Sequence, residues 1–201
     1  MKQYLKHDEW SIIEEGFHRE YNRVSESVFS IGNGRMGQRA NFEETFSGET
    51  LQGSYVAGIY YPDKTRVGWW KNGYPEYFAK VLTAIRYTIK PLNFSGTLSL
   101  TPYLDADVIN EDSNYDEKFW VEVDKKVKRR AGFVLAETKK TAFQVCTGMK
   151  FAIFQDGEEI DFNSYRMQKL KYVGCTVDWP CKEGQETVVY KYAVNVSSFN
   201  Y

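Results

Sequence analysis

The residues most suggestive of chemistry form a glycine-rich segment, Gly32–Gly37, with the sequence GNGRMG. This spacing matches dinucleotide-binding loops, which also require a helix that begins at the glycines and an acidic residue about 20 positions later. The residues that follow, 38–44, have no apolar helical face, and the region around Ala57 supplies no carboxylate. We therefore predict a tight turn, in which glycine allows positive φ, and no nucleotide site.

Acidic residues are concentrated in the segment Asp105–Glu117, where oxygen ligands could bind Ca²⁺. The register of an EF-hand is wrong, because a loop that starts at Asp112 places Glu117 at the turn-glycine position and Val123 at the bidentate position. An irregular oxygen-ligand site stays open as an alternative. The main interpretation is a solvated loop, and no metal ligand is assigned.

Paired carboxylates occur at three places, and glycosidases use two carboxyl groups set across a cleft at a defined separation. Adjacent residues of a strand point to opposite faces, so a neighbouring pair is not a catalytic pair by itself. The two histidines form no recognisable Ser-His-Asp or Cys-His arrangement. We therefore assign no catalytic and no cofactor-binding residue. The pairs and histidines are Glu14–Glu15, Glu43–Glu44, Glu158–Glu159, His7 and His18.

The composition is that of an ordinary globular domain of 201 residues, 42% of them hydrophobic and 26% charged. Lys and Arg number 26 against 27 Asp and Glu, and no basic stripe or long apolar run is evident, so nucleic acid and membranes are poor partners. The charged N-terminus does not resemble a signal peptide. We expect a cytoplasmic protein whose three cysteines, Cys146, Cys175 and Cys181, are reduced thiols.

Alternation of apolar and polar residues recurs along the chain, whereas helical periodicity is rare, which predicts an all-β protein. Asp156–Gly157 predicts a hairpin turn, and Pro75–Leu82 predicts a short helical turn. The architecture that fits is a two-sheet antiparallel β-sandwich over residues 1–201, a single domain with one or two short helical turns. The predicted strands are Val28–Ile31, Ser54–Tyr61, Ile85–Lys90, Thr97–Thr101, Phe119–Val123, Gly132–Thr138, Phe143–Phe154, Leu170–Val177 and Thr187–Val196.

Four stretches that together extend over most of the chain are Glu26–Glu44, Gly53–Tyr60, Asn72–Phe78, and Leu104–Asn110 followed by Asn114–Asp116. In order and spacing they resemble the N-terminal domain of glycoside hydrolase family 65, which includes maltose, kojibiose and trehalose phosphorylases. The resemblance implies a supersandwich-like fold. It also implies that the parent enzyme catalyses inverting phosphorolysis of an α-linked disaccharide, in which phosphate stands where an inverting hydrolase places its activated water.

Two differences from the family bear on function. In the family a long segment of further strands separates the region like Tyr77–Leu82 from the region like Ala84–Tyr87, whereas here Thr83 alone joins them. The chain also stops at Tyr201, before the helical linker and the (α/α) barrel that in the family hold the general-acid glutamate and the phosphate site. We therefore expect a non-catalytic domain. The resemblance implies that such a domain packs on the barrel, contributes to a homodimer and shapes access to the active site.

Two groups of residues are candidate contact sites. The glycine-rich turn carries arginines and carboxylates that are poorly explained as core, so we expect it to face the barrel, with turn capping inside the domain as the alternative. Two adjacent tryptophans should lie in a loop with one ring buried and the other available to a partner subunit or a sugar, and a carbohydrate-binding module is therefore the second functional hypothesis. The first group is Asn33, Arg35, Arg39, Glu43 and Glu44, and the second is Trp69, Trp70 and Tyr74.

Overall fold

The computed structural model describes residues 4–34, 36–40, 47–51, 53–56, 81–108 and 118–198. The chain divides into two compact units, Met1–Gly58 and Ile59–Tyr201, which we call unit 1 and unit 2. Each unit is built mainly from antiparallel strands. The interpretation of residues 1–201 as a single domain stays a prediction.

The described residues of unit 1 form two small sheets, one 3₁₀-helix and one short α-helix. Strands β1 and β2 pair with each other, and β3, β4 and β5 form a three-stranded sheet with β4 in the centre. Within the described residues, no helix is long and apolar enough to cross a membrane. The elements are β1 (Leu5–His7), β2 (Ile12–Glu14), a 3₁₀-helix (Arg19–Tyr21), α1 (Asn22–Val28), β3 (Ile31–Gly32), β4 (Met36–Gln38) and β5 (Ser54–Val56).

The strand predicted at Val28–Ile31 is wrong for most of its length. Val28 is the last residue of α1, and the strand begins at Ile31. Asn22 and Glu26 are four residues apart and therefore lie on one face of the helix, where Asn22 Nδ2 donates a hydrogen bond to Glu26 Oε1 at 3.1 Å. The contacts of this polar face stabilise a segment whose sequence has little helical periodicity. Of the predicted strand Ser54–Tyr61, only the part that forms β5 lies within the described residues.

Unit 2 is a sandwich of two antiparallel sheets, which confirms the predicted architecture. The six-stranded sheet has the order β6-β15-β11-β10-β9, with β12 paired to β11. The four-stranded sheet has the order β13-β14-β7, with β8 paired to β14. The strands are β6 (Val81–Ile89), β7 (Gly96–Leu100), β8 (Tyr103–Asp105), β9 (Trp120–Val127), β10 (Ala131–Thr138), β11 (Gln144–Gln155), β12 (Glu158–Glu159), β13 (Asn163–Lys169), β14 (Tyr172–Cys181) and β15 (Thr187–Ser197).

The core of unit 2 lies between the two sheets. From the six-stranded sheet, Phe151 and Ile153 are completely buried, and from the other sheet Val173, Val177 and Trp179 are at most 1% exposed. In β11 and β14 the buried apolar residues fall at every second position, as the period of two requires. The indole N–H of Trp179 is also hydrogen-bonded, because it donates to the Thr187 hydroxyl oxygen at 3.4 Å. Such burial is the main stabilising term in a chain of this size.

Two local predictions in unit 2 have clear outcomes. The Asp156–Gly157 turn is confirmed, because both residues have positive φ, 50° and 90°, and β12 returns antiparallel to β11. The helical turn predicted at Pro75–Leu82 is wrong at its C-terminal end, since Val81 and Leu82 belong to β6, where pairing with β15 decides the conformation. Residues 75–80 lie outside the described residues.

The alternation predicted for Thr187–Val196 is present, but its more apolar side is turned away from the core. Thr187 and Val189 are buried, at 0% and 3% exposure, whereas Tyr192 on the opposite face is 40% exposed. Val121 of β9 is 44% exposed for the same reason. The pairing register, which places Val189 opposite Ile153, decides which side of β15 meets the core.

Candidate functional site

The glycine-rich segment forms the turn between β3 and β4. Gly32 pairs with Gly37, and Gly34 has φ 81°. Asn33 caps the turn, because its Oδ1 accepts a hydrogen bond from the Met36 N–H at 2.9 Å, while the Asn33 N–H donates to the Met36 carbonyl oxygen at 3.0 Å. A Cβ on Gly32 would lie 3.1 Å from that carbonyl oxygen. The predicted positive-φ turn is confirmed, and a strand follows the glycines where a dinucleotide site has a helix.

Arg39 lies just beyond β4, and its guanidinium contacts helix α1. Its Nη2 donates to Ser27 Oγ at 2.7 Å and to the Arg23 carbonyl oxygen at 3.2 Å. The same nitrogen lies 4.0 Å from Glu26 Oε2, and the side chain is 22% exposed. These contacts fit the alternative role of the turn inside the domain. Contact of Arg39 or Asn33 with a catalytic barrel stays a prediction.

A buried carboxylate on α1 is the centre of this polar site. Glu26 is 4% exposed, and its Oε2 accepts a hydrogen bond from the Leu51 N–H at 2.6 Å. Its Oε1 accepts bonds from Asn22 Nδ2 at 3.1 Å and from the Thr50 hydroxyl. A buried charge is tolerated when it is both paired and hydrogen-bonded, and Glu26 meets both conditions. The carboxylate therefore ties the chain around residue 50 to α1.

Sequence reasoning did not identify Glu26 as a site residue. The four-residue spacing of Asn22 and Glu26 was available as a signal, but the segment carries no apolar helical face that would have drawn attention to it. The partners Thr50 and Leu51 are 24 and 25 residues away in the chain. A contact of that range leaves no periodic pattern in the sequence.

The other candidate residues lie outside the described residues. In the turn group these are Arg35, Glu43 and Glu44. The aromatic group, Trp69, Trp70 and Tyr74, is likewise outside, so its loop position and its contact with a sugar or partner stay predictions.

Near the beginning of the acidic segment Asp105–Glu117, Asp107 forms ion pairs with two lysines. Asp107 Oδ1 lies 3.0 Å from Lys171 Nζ, and its Oδ2 lies 2.5 Å from Lys118 Nζ. The hydrogen bond from Lys118, followed by that from Lys171, lowers the pKa of the Asp107 carboxyl below its ordinary value of 3.8. Residues 109–117 lie outside the described residues, and the open alternative of an oxygen-ligand site there stays untested.

A second carboxylate near these lysines is also held ionised. Glu122 Oε2 accepts a hydrogen bond from Lys125 Nζ at 2.8 Å and another from the Lys171 N–H at 2.5 Å. The bond from Lys125 is the main reason that the pKa of Glu122 lies below its ordinary value. These contacts join β9 to the turn between β13 and β14, so the lysines and carboxylates connect the two sheets of unit 2.

The Glu158–Glu159 pair also has a structural partner. Glu159 forms an ion pair with Arg130, and Asp161 forms one with Arg129. Both guanidinium carbons lie over the buried Phe162 ring, 5.2 Å from its centroid for Arg129 and 4.9 Å for Arg130. This arrangement combines cation–π and ionic contacts at one end of the sandwich. Glu159 is therefore an element of structure in unit 2.

A model of a protein family described as glycosyl hydrolase family 65, N-terminal domain, matches residues 12–84 and 80–200. The match consists of two segments that meet at residues 80–84. This is the point at which the sequence indicated a shortened region after Leu82. Both compact units therefore carry the family's sequence pattern.

Two curated relatives that are similar to this chain are phosphorylases. Maltose phosphorylase of Bacillus subtilis (strain 168) is 35% identical over 202 residues, which cover 68% of this chain and 27% of that protein. The aligned length exceeds the covered part of the chain, so that protein has additional residues within the aligned region. Alpha,alpha-trehalose phosphorylase of Thermoanaerobacter brockii is 22% identical over 263 residues, which cover 92% of this chain and 34% of that protein.

A solved structure with a similar fold is a putative kojibiose phosphorylase from the human microbiome. The comparison gives a TM-score of 0.72 at 18% identity, and it covers 98% of this chain and 33% of that chain. The predicted all-β sandwich is thereby confirmed as the fold. The chain spans about a third, or less, of the length of the relatives it matches.

Proposed function

Because this chain belongs to glycosyl hydrolase family 65 and matches its N-terminal domain, we propose that it is the non-catalytic N-terminal domain of a disaccharide phosphorylase or related hydrolase. In this role it packs on a catalytic (α/α) barrel, contributes to a homodimer and shapes access to the active site, where disaccharide and phosphate bind. The observation that carries the proposal is that the family's N-terminal-domain model matches residues 12–84 and 80–200 of this chain, whereas the alignment with B. subtilis maltose phosphorylase covers only 27% of that protein.

Four of the described carboxylates, Asp107, Glu122, Glu26 and Glu159, support a non-catalytic role. Phosphorolysis with inversion needs a protonated carboxyl group above the glycosidic oxygen and an anion site on the opposite side of the sugar. A general acid has a raised pKa so that it carries a proton near neutral pH. Asp107 and Glu122 show the opposite shift, because lysines stabilise their ionised forms. Glu26 and Glu159 accept hydrogen bonds from groups of their own unit and are likewise engaged in structure.

The test is a phosphorolysis assay on the purified 201-residue chain. Maltose, kojibiose, nigerose and trehalose are incubated in phosphate buffer, and glucose 1-phosphate is measured by coupling to phosphoglucomutase. Full-length maltose phosphorylase of B. subtilis serves as the positive control for the assay. We expect release from the chain to be indistinguishable from buffer. Phosphate-dependent turnover that disappears when Glu43 and Glu44 are both replaced by Gln would place the active site in this domain and overturn the proposal.

A further inference from the structure

The turn between β3 and β4 contains a dipeptide whose chemical reactivity is separate from its role as a cap. Asn33 is followed directly by Gly34. The backbone nitrogen that follows an asparagine can attack the side-chain amide and form a five-membered imide, and asparagine is accordingly among the thermolabile residues of proteins. Glycine in the following position favours the attack, because it has no side chain that crowds the nitrogen.

Both residues of this dipeptide are open to solvent. Asn33 and Gly34 are exposed, and a Cβ on Gly34 would meet no atom of the described residues within 4 Å. The φ of Gly34 is 81°, a conformation that glycine adopts without strain. Water and hydroxide can therefore reach the amide from bulk solvent, and ammonia can leave.

The turn also places a hydrogen-bond donor on the oxygen that becomes charged during the attack. The Met36 N–H donates to Asn33 Oδ1 at 2.9 Å. Negative charge develops on this oxygen as the Gly34 nitrogen adds to the amide carbon, and a fixed backbone N–H stabilises such charge as in an oxyanion hole. The donor is held in place, because Met36 is 7% exposed and its carbonyl oxygen accepts a bond from the Asn33 N–H at 3.0 Å.

From these contacts we infer that Asn33 is a site of spontaneous deamidation in the folded chain, assisted by the Met36 N–H. The Gly34 nitrogen loses its proton to hydroxide and forms a bond to Asn33 Cγ. The Cγ–Nδ2 bond breaks, and the leaving nitrogen takes a proton from water and departs as ammonia. Water then opens the imide. Its attack on Cγ gives an aspartyl residue, and its attack on the main-chain carbonyl carbon gives an isoaspartyl residue.

Other asparagines lack one or more of these features. Asn163 on β13 is exposed, but Ser164 follows it. Asn22 is 3% exposed, and its amide nitrogen donates to Glu26 Oε1 at 3.1 Å. A second asparagine–glycine dipeptide, Asn72–Gly73, lies outside the described residues. Asn163 is therefore the internal reference for an exposed asparagine without a following glycine.

The two products should affect the turn differently. An aspartyl residue keeps a side-chain oxygen that can accept the bond from the Met36 N–H. An isoaspartyl residue converts that oxygen into a main-chain carbonyl and adds one methylene to the chain between Gly32 and Gly37, which pair directly across β3 and β4. The isoaspartyl product should therefore weaken the three-stranded sheet of unit 1.

The experiment is incubation of the purified chain in mildly alkaline buffer, followed by trypsin digestion and mass spectrometry. Trypsin releases the peptides Val24–Arg35 and Phe151–Arg166, in which Asn33 and Asn163 are the only asparagines. The first peptide should gain the mass difference between an amide and a carboxyl group at least about tenfold faster than the second. The same incubation in guanidinium chloride removes the turn but keeps the sequence, and we expect the folded chain to react at least as fast.

The matched control is the variant Asn33→Asp. It keeps an acceptor for the Met36 N–H but has no ammonia to lose, so its peptide should gain no mass. After the incubation, wild type should contain isoaspartyl groups that an isoaspartyl methyltransferase labels, and it should melt at a lower temperature than the incubated variant.

Three outcomes contradict the parts of the inference separately. A folded chain in which Val24–Arg35 keeps its amide, or reacts no faster than Phe151–Arg166, overturns Asn33 as a deamidation site. Slower reaction in the folded chain than in guanidinium chloride overturns the assistance by the Met36 N–H. Incubated wild type that contains isoaspartyl groups but melts together with Asn33→Asp overturns the effect on unit 1.

Discussion

The guanidinium of Arg39 lies 4.0 Å from the Glu26 carboxylate but donates its hydrogen bonds to Ser27 and Arg23 instead. The carboxylate is held by uncharged donors, among them the Leu51 N–H at 2.6 Å. Arg39 thus compensates the charge of the Glu26 carboxylate, whereas the neutral donors fix the position of that carboxylate. The two residues should therefore respond differently to substitution.

Replacing Glu26 with Ala should destabilise unit 1 by about 3 kcal/mol, because it leaves buried donors without their acceptor. Glu26→Gln retains an acceptor and should cost less. Urea denaturation measures the free energy of unfolding, and hydrogen exchange of the Leu51 amide measures its local protection in a separate experiment. Glu49→Ala is the control, since Glu49 is 88% exposed and its ion pair with Arg23 spans 3.8 Å, so its loss should cost about 0.5 kcal/mol or less. Equal costs for the two variants would contradict the central role of Glu26.

Arg39→Ala should impair docking of the catalytic barrel if the turn faces it. The test uses a chimera in which this chain replaces the matching segment of B. subtilis maltose phosphorylase. We expect Arg39→Ala to lower phosphorolysis and Arg39→Lys, which preserves the charge, to retain more of it. If both variants fold and have the activity of the parent chimera, the barrel-facing prediction for Arg39 is wrong and its contacts with α1 are its whole role.

The thermal stability of the chain should depend on pH through protonation of the Asp107 carboxyl. Its folded-state pKa is lowered by hydrogen bonds from Lys118 and then Lys171, so its stabilising contribution is present above the unfolded value of about 3.8 and is lost as pH falls through the lower folded value. The Tm of wild type should therefore exceed that of Asp107→Asn by the largest amount near pH 6, and this difference should decrease below about pH 4. Lys118→Met should reduce the same difference. Parallel curves for wild type and Asp107→Asn between pH 6 and 2.5 would refute this assignment.

Trp179→Ala should cost about 3 to 5 kcal/mol, because the indole is 1% exposed at the centre of the sandwich and its removal leaves a large cavity. The hydrogen bond to Thr187 is lost as well. Urea denaturation measures the change. Tyr165→Ala removes an aromatic ring that is 61% exposed and should change stability by about 0.5 kcal/mol or less.

The long strands of unit 2 that contribute to its core were predictable, because sustained alternation of apolar and polar residues has few other interpretations. Strands β8 and β13 were not predicted, since β8 has only three residues and β13 is mostly exposed. Helix α1 was not, because its stability depends on the contacts of Glu26 with Thr50 and Leu51, which no local pattern encodes. The buried side of β15 was also not predictable from alternation, since both of its faces carry apolar residues. At the candidate site the glycine spacing predicted the turn that Asn33 caps, whereas the partners of Arg39 became evident only in the folded structure.

The position of β15 has a consequence for synthesis. Among the described strands β6 pairs with β15 alone, and Ile89 lies opposite Thr187. The ribosome must therefore add about 100 residues before β6 can pair with β15, which takes roughly 5 to 20 s at ordinary elongation rates. During that interval the side of β6 that will face β15 presents unpaired backbone N–H and C=O groups, to which other nascent chains can bind. Without β15, β6 would lack its partner among the described strands and β11 would be unpaired on one side, so a nascent chain cut short before residue 187 is a substrate for chaperones and proteases.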